Sequence, residues 1–238
     1  MRRKRKTSVE RHIELLVVLD ASMFEYHKDG LERYVMSQIA MVSHIFRHYT
    51  VGHSINIKLV GVTTITNEED IVYDTPHLLL RSFCRWQALQ NHPSDKSLDH
   101  HDTAMFLTRR KLCGKLKPCS MVGLANVGQI CNPENSCFIV EDTGLSASFT
   151  IAHELGHVLG VPHDDQEHCN RYFEQKKKRK PKFEKSKLAN IMASVPTSIN
   201  KVWAWSACSR HFITKHLKYV QTLKKLLSAM VITCFCVI

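Results

Sequence analysis

Residues 153–164 read HELGHVLGVPHD, and the fold follows from how this stretch must be laid out. On a helix, positions i and i+4 share one face with their Cβ atoms about 5–6 Å apart. His153 and His157 can therefore coordinate one ion from consecutive turns. Glu154 sits about 100° further round the helix. It is placed to flank a solvent ligand of that ion rather than to join the ligand set. Gly160 can adopt positive φ and turn the chain sharply, which swings His163 back as the third ligand. Three imidazoles plus one open position is the donor set of a catalytic zinc, not a structural one. The chemistry expected is hydrolysis. Zinc lowers the pKa of a bound water towards roughly 7 and polarises a carbonyl, Glu154 carries the proton to the leaving group, and the metal stabilises the oxyanion. No serine or cysteine nucleophile is needed. The competing reading is a set of ordinary histidines on an amphipathic helix. A bare HExxH leaves that reading open; six fixed positions (His153, Glu154, His157, Gly160, His163, Asp164) count strongly against it.

Working outward, residues 146–159 read as the helix carrying this stretch, with Ser146 a candidate N-cap and Gly160 the stop. Upstream, residues 12–20 are an apolar run rich in Val and Leu, a buried strand. Residues 31–49 place Val35, Ile39, Val42, Ile45, Phe46 and Tyr49 at helical spacing. Residues 54–65 alternate and are β-branched, a second strand. Residues 76–90 are helical through Leu79, Phe83 and Trp86, and residues 102–108 form a third strand. This order predicts an α/β fold with a mostly parallel sheet. From Cys113 to Cys137 the chain reads as loops, with a short exposed strand within VGLANVG (122–128). The tract at 176–187, interrupted by Pro181, reads as a solvated loop, and residues 209–217 as a last helix.

The chain has 238 residues and a formal net charge of +11. One domain is the natural expectation, and a core of this size needs neither metal nor disulfide merely to fold. The charge is concentrated: residues 2–6 carry +5, residues 176–187 carry +7, and the remainder nets −1. A nucleic-acid-binding face would spread its basic residues along a structural element, so nucleic acid is not expected as a partner. Nine cysteines without a CxxC pair favour disulfides and an oxidising compartment over a zinc ribbon. The N-terminus lacks a signal peptide. The apolar run at 226–238 is too short for a comfortable membrane span, and the final FCVI does not fit a prenylation box.

Beyond the zinc stretch, the runs RHIELLVVLD, RSFCRWQ, HHDTAMFLTR, CNPENSC, VEDTGLSASFTIAHELGH and WSACSRHFIT resemble the catalytic domain of the ADAMTS proteases (a disintegrin-like and metalloproteinase with thrombospondin motifs). These are metzincins of the reprolysin type, and Asp164 after the third histidine fits that branch. The resemblance covers about residues 9–217. It implies a metzincin zinc-protease fold: a five-stranded sheet with one antiparallel edge strand, an active-site helix, a methionine turn at Met192 and a C-terminal helix. Substrate would lie along the edge strand, for which VGLANVG is the matching segment, by β-augmentation. GLANVG and HELGHVLGVPHDD look nearest the proteoglycan-cleaving members.

The resemblance further implies calcium, with Glu14, Asp95 and Asp102 on positions that supply carboxylates to a paired site; hard oxygen ligands suit that ion. Two more ligands expected beyond the last helix are missing from KYVQTLKKLL, so the site is expected to be incomplete. At a second family calcium position, Glu141 faces Lys111 instead of an aspartate, and the lysine is expected to replace the cation. Disulfides implied are Cys84–Cys137, Cys113–Cys119 and Cys169–Cys208. Cys131 loses its family partner, with Cys234 and Cys236 the remaining choices. RRKR at 2–5 resembles a furin-type processing site, giving residues 1–8 as a propeptide remnant, 9–217 as the catalytic domain and 218–238 as a divergent tail, in a fragment, truncated isoform or incomplete gene model. The function implied is a secreted zinc metalloendopeptidase acting on extracellular matrix proteins, including proteoglycans. Alternatives are a catalytically silent truncated form that only binds partners, and a module binding heparin-like glycosaminoglycans through residues 176–187.

Overall fold

The computed structural model describes residues 10–65, 71–113, 120–130, 132–179, 190–194 and 204–229, without the side chains of 176–179 and 223–229. The order of elements is β1 (Glu10–Leu19), α1 (Ala21–His27), α2 (Leu31–Arg47), β2 (Ser54–Thr64), α3 (Pro76–Gln90), β3 (Thr103–Thr108), β4 (Gly123–Ala125), β5 (Cys137–Glu141), α4 (Ala147–Val158), α5 (Glu167–Arg179) and α6 (Ala207–Ala229). The five strands form one sheet in the order β2-β1-β3-β5-β4. All neighbours are parallel except β4 against β5, which is antiparallel and forms one edge. The expected sheet, with one reversed edge strand, is the one observed.

Both faces of the central strands are buried, which is why they read as continuous apolar runs. The side-chain period of two splits each strand between two cores. Met105, Leu107, Phe138 and Val140 join α2 and α4 on one face; Ala104, Phe106, Cys137 and Ile139 join α3 on the other. Phe46, Phe83, Phe106 and Phe138 are fully buried, each stabilising the fold by roughly 1.5–3 kcal/mol relative to exposure. Cys84 on α3 is bridged to Cys137 on β5, and Cys169 on α5 to Cys208 on α6, each with 5.6 Å between Cα atoms. Cys113 is disulfide-bonded; Cys119, Cys131, Cys234, Cys236 and the RRKR run lie outside the described residues.

Several expectations need correcting. Helix α2 stops at Arg47 and Tyr49 is 81% exposed, in a 3-10 turn rather than on the helix. Ser146 precedes α4 but does not cap it: its backbone is already helical and its hydroxyl turns to Thr143. The carbonyls of Gly144, Leu145 and Ser146 receive the first N–H groups instead, in tight i→i+3 turns. The basic tract begins inside a helix, because α5 runs through Arg179; residues 180–187 lie outside the described residues. Helix α6 continues well past residue 217, to Ala229. Strand β5 and helices α1 and α5 were not anticipated from the local pattern.

Candidate metal centre and active site

The zinc stretch folds as its spacing requires. His153, Glu154 and His157 lie on α4, and Gly160 takes φ +79° just beyond it. The turn returns His163 so that its Nε2 lies 3.1 Å from Nε2 of His153 and 3.0 Å from Nε2 of His157. The Nδ1 atoms of the helical pair are committed elsewhere. His153 Nδ1 donates to the Ile191 carbonyl at 2.7 Å, and His157 Nδ1 to the Val161 carbonyl at 2.7 Å. Carbonyls only accept, so both rings are fixed with an Nδ1 proton and a bare Nε2 lone pair. Two lone pairs thus face His163, whose single Nε2 proton can serve only one of them.

A cation resolves this conflict. Zinc–nitrogen distances of about 2.0–2.1 Å in a tetrahedron put ligand nitrogens about 3.3–3.4 Å apart, close to the spacing found. The donor set therefore fits zinc, and the two carbonyls are the outer contacts that orient metal-binding imidazoles. Burial and the neighbouring imidazoles push His157 down to about 3, and burial lowers His153 too. Both changes keep the rings neutral, the state in which imidazole binds a metal.

Glu154 is 5% exposed, and among the described residues none hydrogen-bonds its carboxylate. Burial alone pushes it up to about 8. A dication beside it would favour the charged form. Above it passes β4, where an added Cβ on Gly123 would come 2.5 Å from Glu154 Oε1.

Three contacts hold the helix. The segment after β4 clamps its end, with Gly128 N donating to the His157 carbonyl and Ile130 N to the Val158 carbonyl. These satisfy carbonyls left open at a helix terminus. Beneath, Met192 is fully buried, and an added Cβ on Gly156 would come 2.7 Å from its sulfur. Met192 belongs to a turn closed by Ala193 N on the Asn190 carbonyl. That turn offers the Ile191 carbonyl to His153 and the Met192 carbonyl to Asp164 N. Asp164 in turn accepts from Ser206 and Ser209 at the start of α6.

Glu14, Asp95 and Asp102 are neighbours but do not converge as the imidazoles do. Their oxygens are not among the described groups that close within 4.8 Å of one another. Asp102 Oδ2 accepts from Glu14 N at 2.9 Å, while His100 Nε2 lies 3.2 Å from Asp95 and 4.0 Å from Asp102. Lys58 Nζ lies 4.0 Å from Glu14. Burial, reinforced by the Glu14 and Asp95 charges, pushes Asp102 up to about 6. At Glu141, Lys111 Nζ is 2.5 Å from Oε1 and Leu112 N donates to Oε2. The lysine stands against the buried carboxylate as expected.

The carbonyls of Ile191 and Val161, the Gly128–Ile130 clamp and the Gly123 approach were missed from sequence. Backbone groups are the same in every residue, so no local signal marks them.

A sequence model of the reprolysin (M12B) zinc metalloproteases matches residues 11–223. A disintegrin and metalloproteinase with thrombospondin motifs gon-1 of Caenorhabditis elegans is 38% identical over 218 residues, covering 91% of this chain and 10% of that protein. The corresponding motifs 8 protein of Homo sapiens is 38% identical over 91% of this chain and 23% of its own, and motifs 1 of Homo sapiens 36% identical over 91% and 22%. The chain thus spans between a tenth and a quarter of the length of these curated relatives. A solved chain titled "Structure of a chaperone-substrate complex" aligns at TM-score 0.49 with 13% identity over 66% of this chain and 27% of its own, too weak a likeness to bear on the fold. The sheet with its reversed edge, the imidazole cluster and the family match agree: the chain belongs to the reprolysin (M12B) family of zinc metalloproteases.

Proposed function

We propose that His153, His157 and His163 hold the catalytic zinc and that Glu154 is the general base and acid of peptide-bond hydrolysis. The observation that carries this is the pair of bare Nε2 lone pairs facing His163. Zinc, when bound, supplies Lewis acidity to the attacking water and the scissile carbonyl. Glu154 takes the proton from that water at a carboxylate oxygen and gives it to the leaving amine nitrogen. Its buried position keeps bulk water from competing for the carboxylate.

The substrate binds as an added strand on β4. Glu141 N donates to the Val122 carbonyl, so Val122 and Leu124 turn their backbone groups towards β5. Alternation along an antiparallel ladder leaves the N–H and C=O of Gly123 and Ala125 at the outer edge. Extended peptides pair with such edges and are read through alternate side chains. The substrates are extracellular matrix proteins, including proteoglycans, met by a secreted enzyme. Residues 176–187 add affinity for heparin-like glycosaminoglycans. Among the described residues no helix is long and apolar enough to cross a membrane. Calcium binds weakly at Glu14, Asp95 and Asp102, because Lys58 Nζ and His100 Nε2 already stand against those carboxylates.

Zinc content and turnover of a quenched peptide test this reading. Glu154→Ala should retain zinc and lose about 10²–10⁴-fold in turnover, whereas His157→Ala should lose the metal. Near-normal turnover by the Glu154 variant would refute the assignment. Zinc retained by the wild-type chain without turnover would point instead to a silent binding form.

A further inference from the structure

We propose that Gly123 is a positioning residue for the reaction: its missing side chain leaves the space in which the Glu154 carboxylate lies under the substrate-binding edge. This rests on the reading of Glu154 as the proton carrier. A Cβ built at Gly123 would meet Oε1, Cγ and Cδ of Glu154 at 2.5, 2.7 and 2.8 Å. All three are closer than real Cβ contacts come. The φ of Gly123 is not in the left-handed region, so the backbone there is open to any residue. What excludes a side chain is the carboxylate beneath it.

The geometry gives this one residue two tasks. Its backbone lies at the outer edge of β4, where substrate pairs. Its empty side-chain position faces α4, as does Ala125 two residues on, while Leu124 packs on the α3 side. Substrate main chain and proton carrier therefore approach the same Cα from two directions. No side chain separates them.

The size of the effect follows from which group can yield. The atoms met belong to the flexible end of Glu154, so a methyl group at 123 displaces the carboxylate at small cost to the fold. Catalysis is far less tolerant, since a displacement of about 1 Å in a reacting group costs on the order of 10²-fold. Gly123→Ala should therefore fold, keep stoichiometric zinc, hold KM for a quenched peptide within about 3-fold and lose about 10²-fold in kcat.

A merely structural role for Gly123 would behave differently, and two double variants expose it. In a Glu154→Ala background the clashing atoms are gone, so Gly123→Ala should not lower the residual turnover further. The Kd for an uncleaved peptide should also stay within about 3-fold in that background. In a Glu154→Asp background, the shorter acid should likewise absorb most of the penalty. If Gly123→Ala fails to fold while Gly123→Ala/Glu154→Ala folds and holds zinc, the steric conflict is supported directly. Unimpaired kcat in Gly123→Ala overturns the proposal. So does a penalty of equal size without the Glu154 side chain, weakened peptide binding, or a double variant that also fails to fold. Full activity of Glu154→Ala alone would instead overturn the parent reading.

Discussion

Gly156 lies in the last turn of α4, between the zinc-stretch residues Glu154 and His157, and Gly156→Ala sets two effects of similar size against each other. In an unobstructed helix interior, replacing glycine by alanine gains about 1 kcal/mol. Here the new Cβ would come 2.7 Å from Met192 Sδ and 3.1 and 3.3 Å from Cζ3 and Cη2 of Trp205. The indole cannot retreat: Trp205 is 3% exposed, its Nε1 donates to the Ile45 carbonyl at 3.1 Å and its ring packs on Phe46. Met192 must move, inside a fully buried site. Overpacking of this kind costs about 1–3 kcal/mol, so the variant should be destabilised by about 0–2 kcal/mol net. Met192→Ala alone should cost about 2–5 kcal/mol through the cavity it leaves. Combined, the two relieve each other. Gly156→Ala should stabilise the Met192→Ala background by up to about 1 kcal/mol, a coupling of about 1–3 kcal/mol. The assay is urea unfolding at one fixed free zinc concentration, since bound metal shifts apparent stability by mass action. An equal gain from Gly156→Ala in both backgrounds would show that the helix does not press on Met192, and the account of how α4 is seated would fail.

Two further outcomes follow from groups away from the centre. His216 packs its ring against Gly160, where an added Cβ would meet its Nδ1 at 3.1 Å; among the described residues its buried Nε2 has no hydrogen-bond partner, and burial lowers its pKa. Because the unfolded chain takes the proton first, stability is complete above the ordinary histidine range near about 6.5 and falls as pH drops below it; thermal midpoints from pH 7.5 to 5 should fall less in His216→Phe, and parallel profiles would refute this. Lys111 is mostly exposed while Glu141 is buried; Lys111→Asp should lower stability and make the midpoint rise with millimolar calcium more than the wild type's does, and an equal calcium response in both would show that the lysine does not replace a cation.

How much was legible depended on whether side chains or backbone carried the information. Strands β1, β2 and β3 and helices α2 and α3 announce themselves through period and apolar runs, and α3 begins and ends where its pattern does. The three imidazoles were legible because i, i+4 spacing and a turn-permitting Gly160 convert directly into geometry. Strand β5 was hidden by its length of five residues and its position directly after a loop. Helix α5 was hidden by its many charges, which leave a short inward stripe of Cys169, Tyr172 and Phe173, bridged to Cys208 and stacked on His211 of α6. Ser146 carried a capping signal that the chain does not use, because carbonyls of the preceding turn already receive the first N–H groups.

The orientation of the rings is the part no sequence pattern could reveal, and it ties the metal centre to the fold. His153 and His157 are oriented by carbonyls from separate segments, Ile191 and Val161. The Met192 turn touches the cluster twice, through Ile191 O on His153 and through Asp164 N, next to His163. An ion that fixes His153 and His163 relative to each other therefore fixes this turn as well. By the same linkage, a turn held by Met192 beneath Gly156 presents the rings already oriented and lowers the entropy lost on binding. Metal affinity should accordingly track the packing of Met192, because the turn that carries it meets the cluster through the Ile191 carbonyl on His153 and the Met192 carbonyl beside His163.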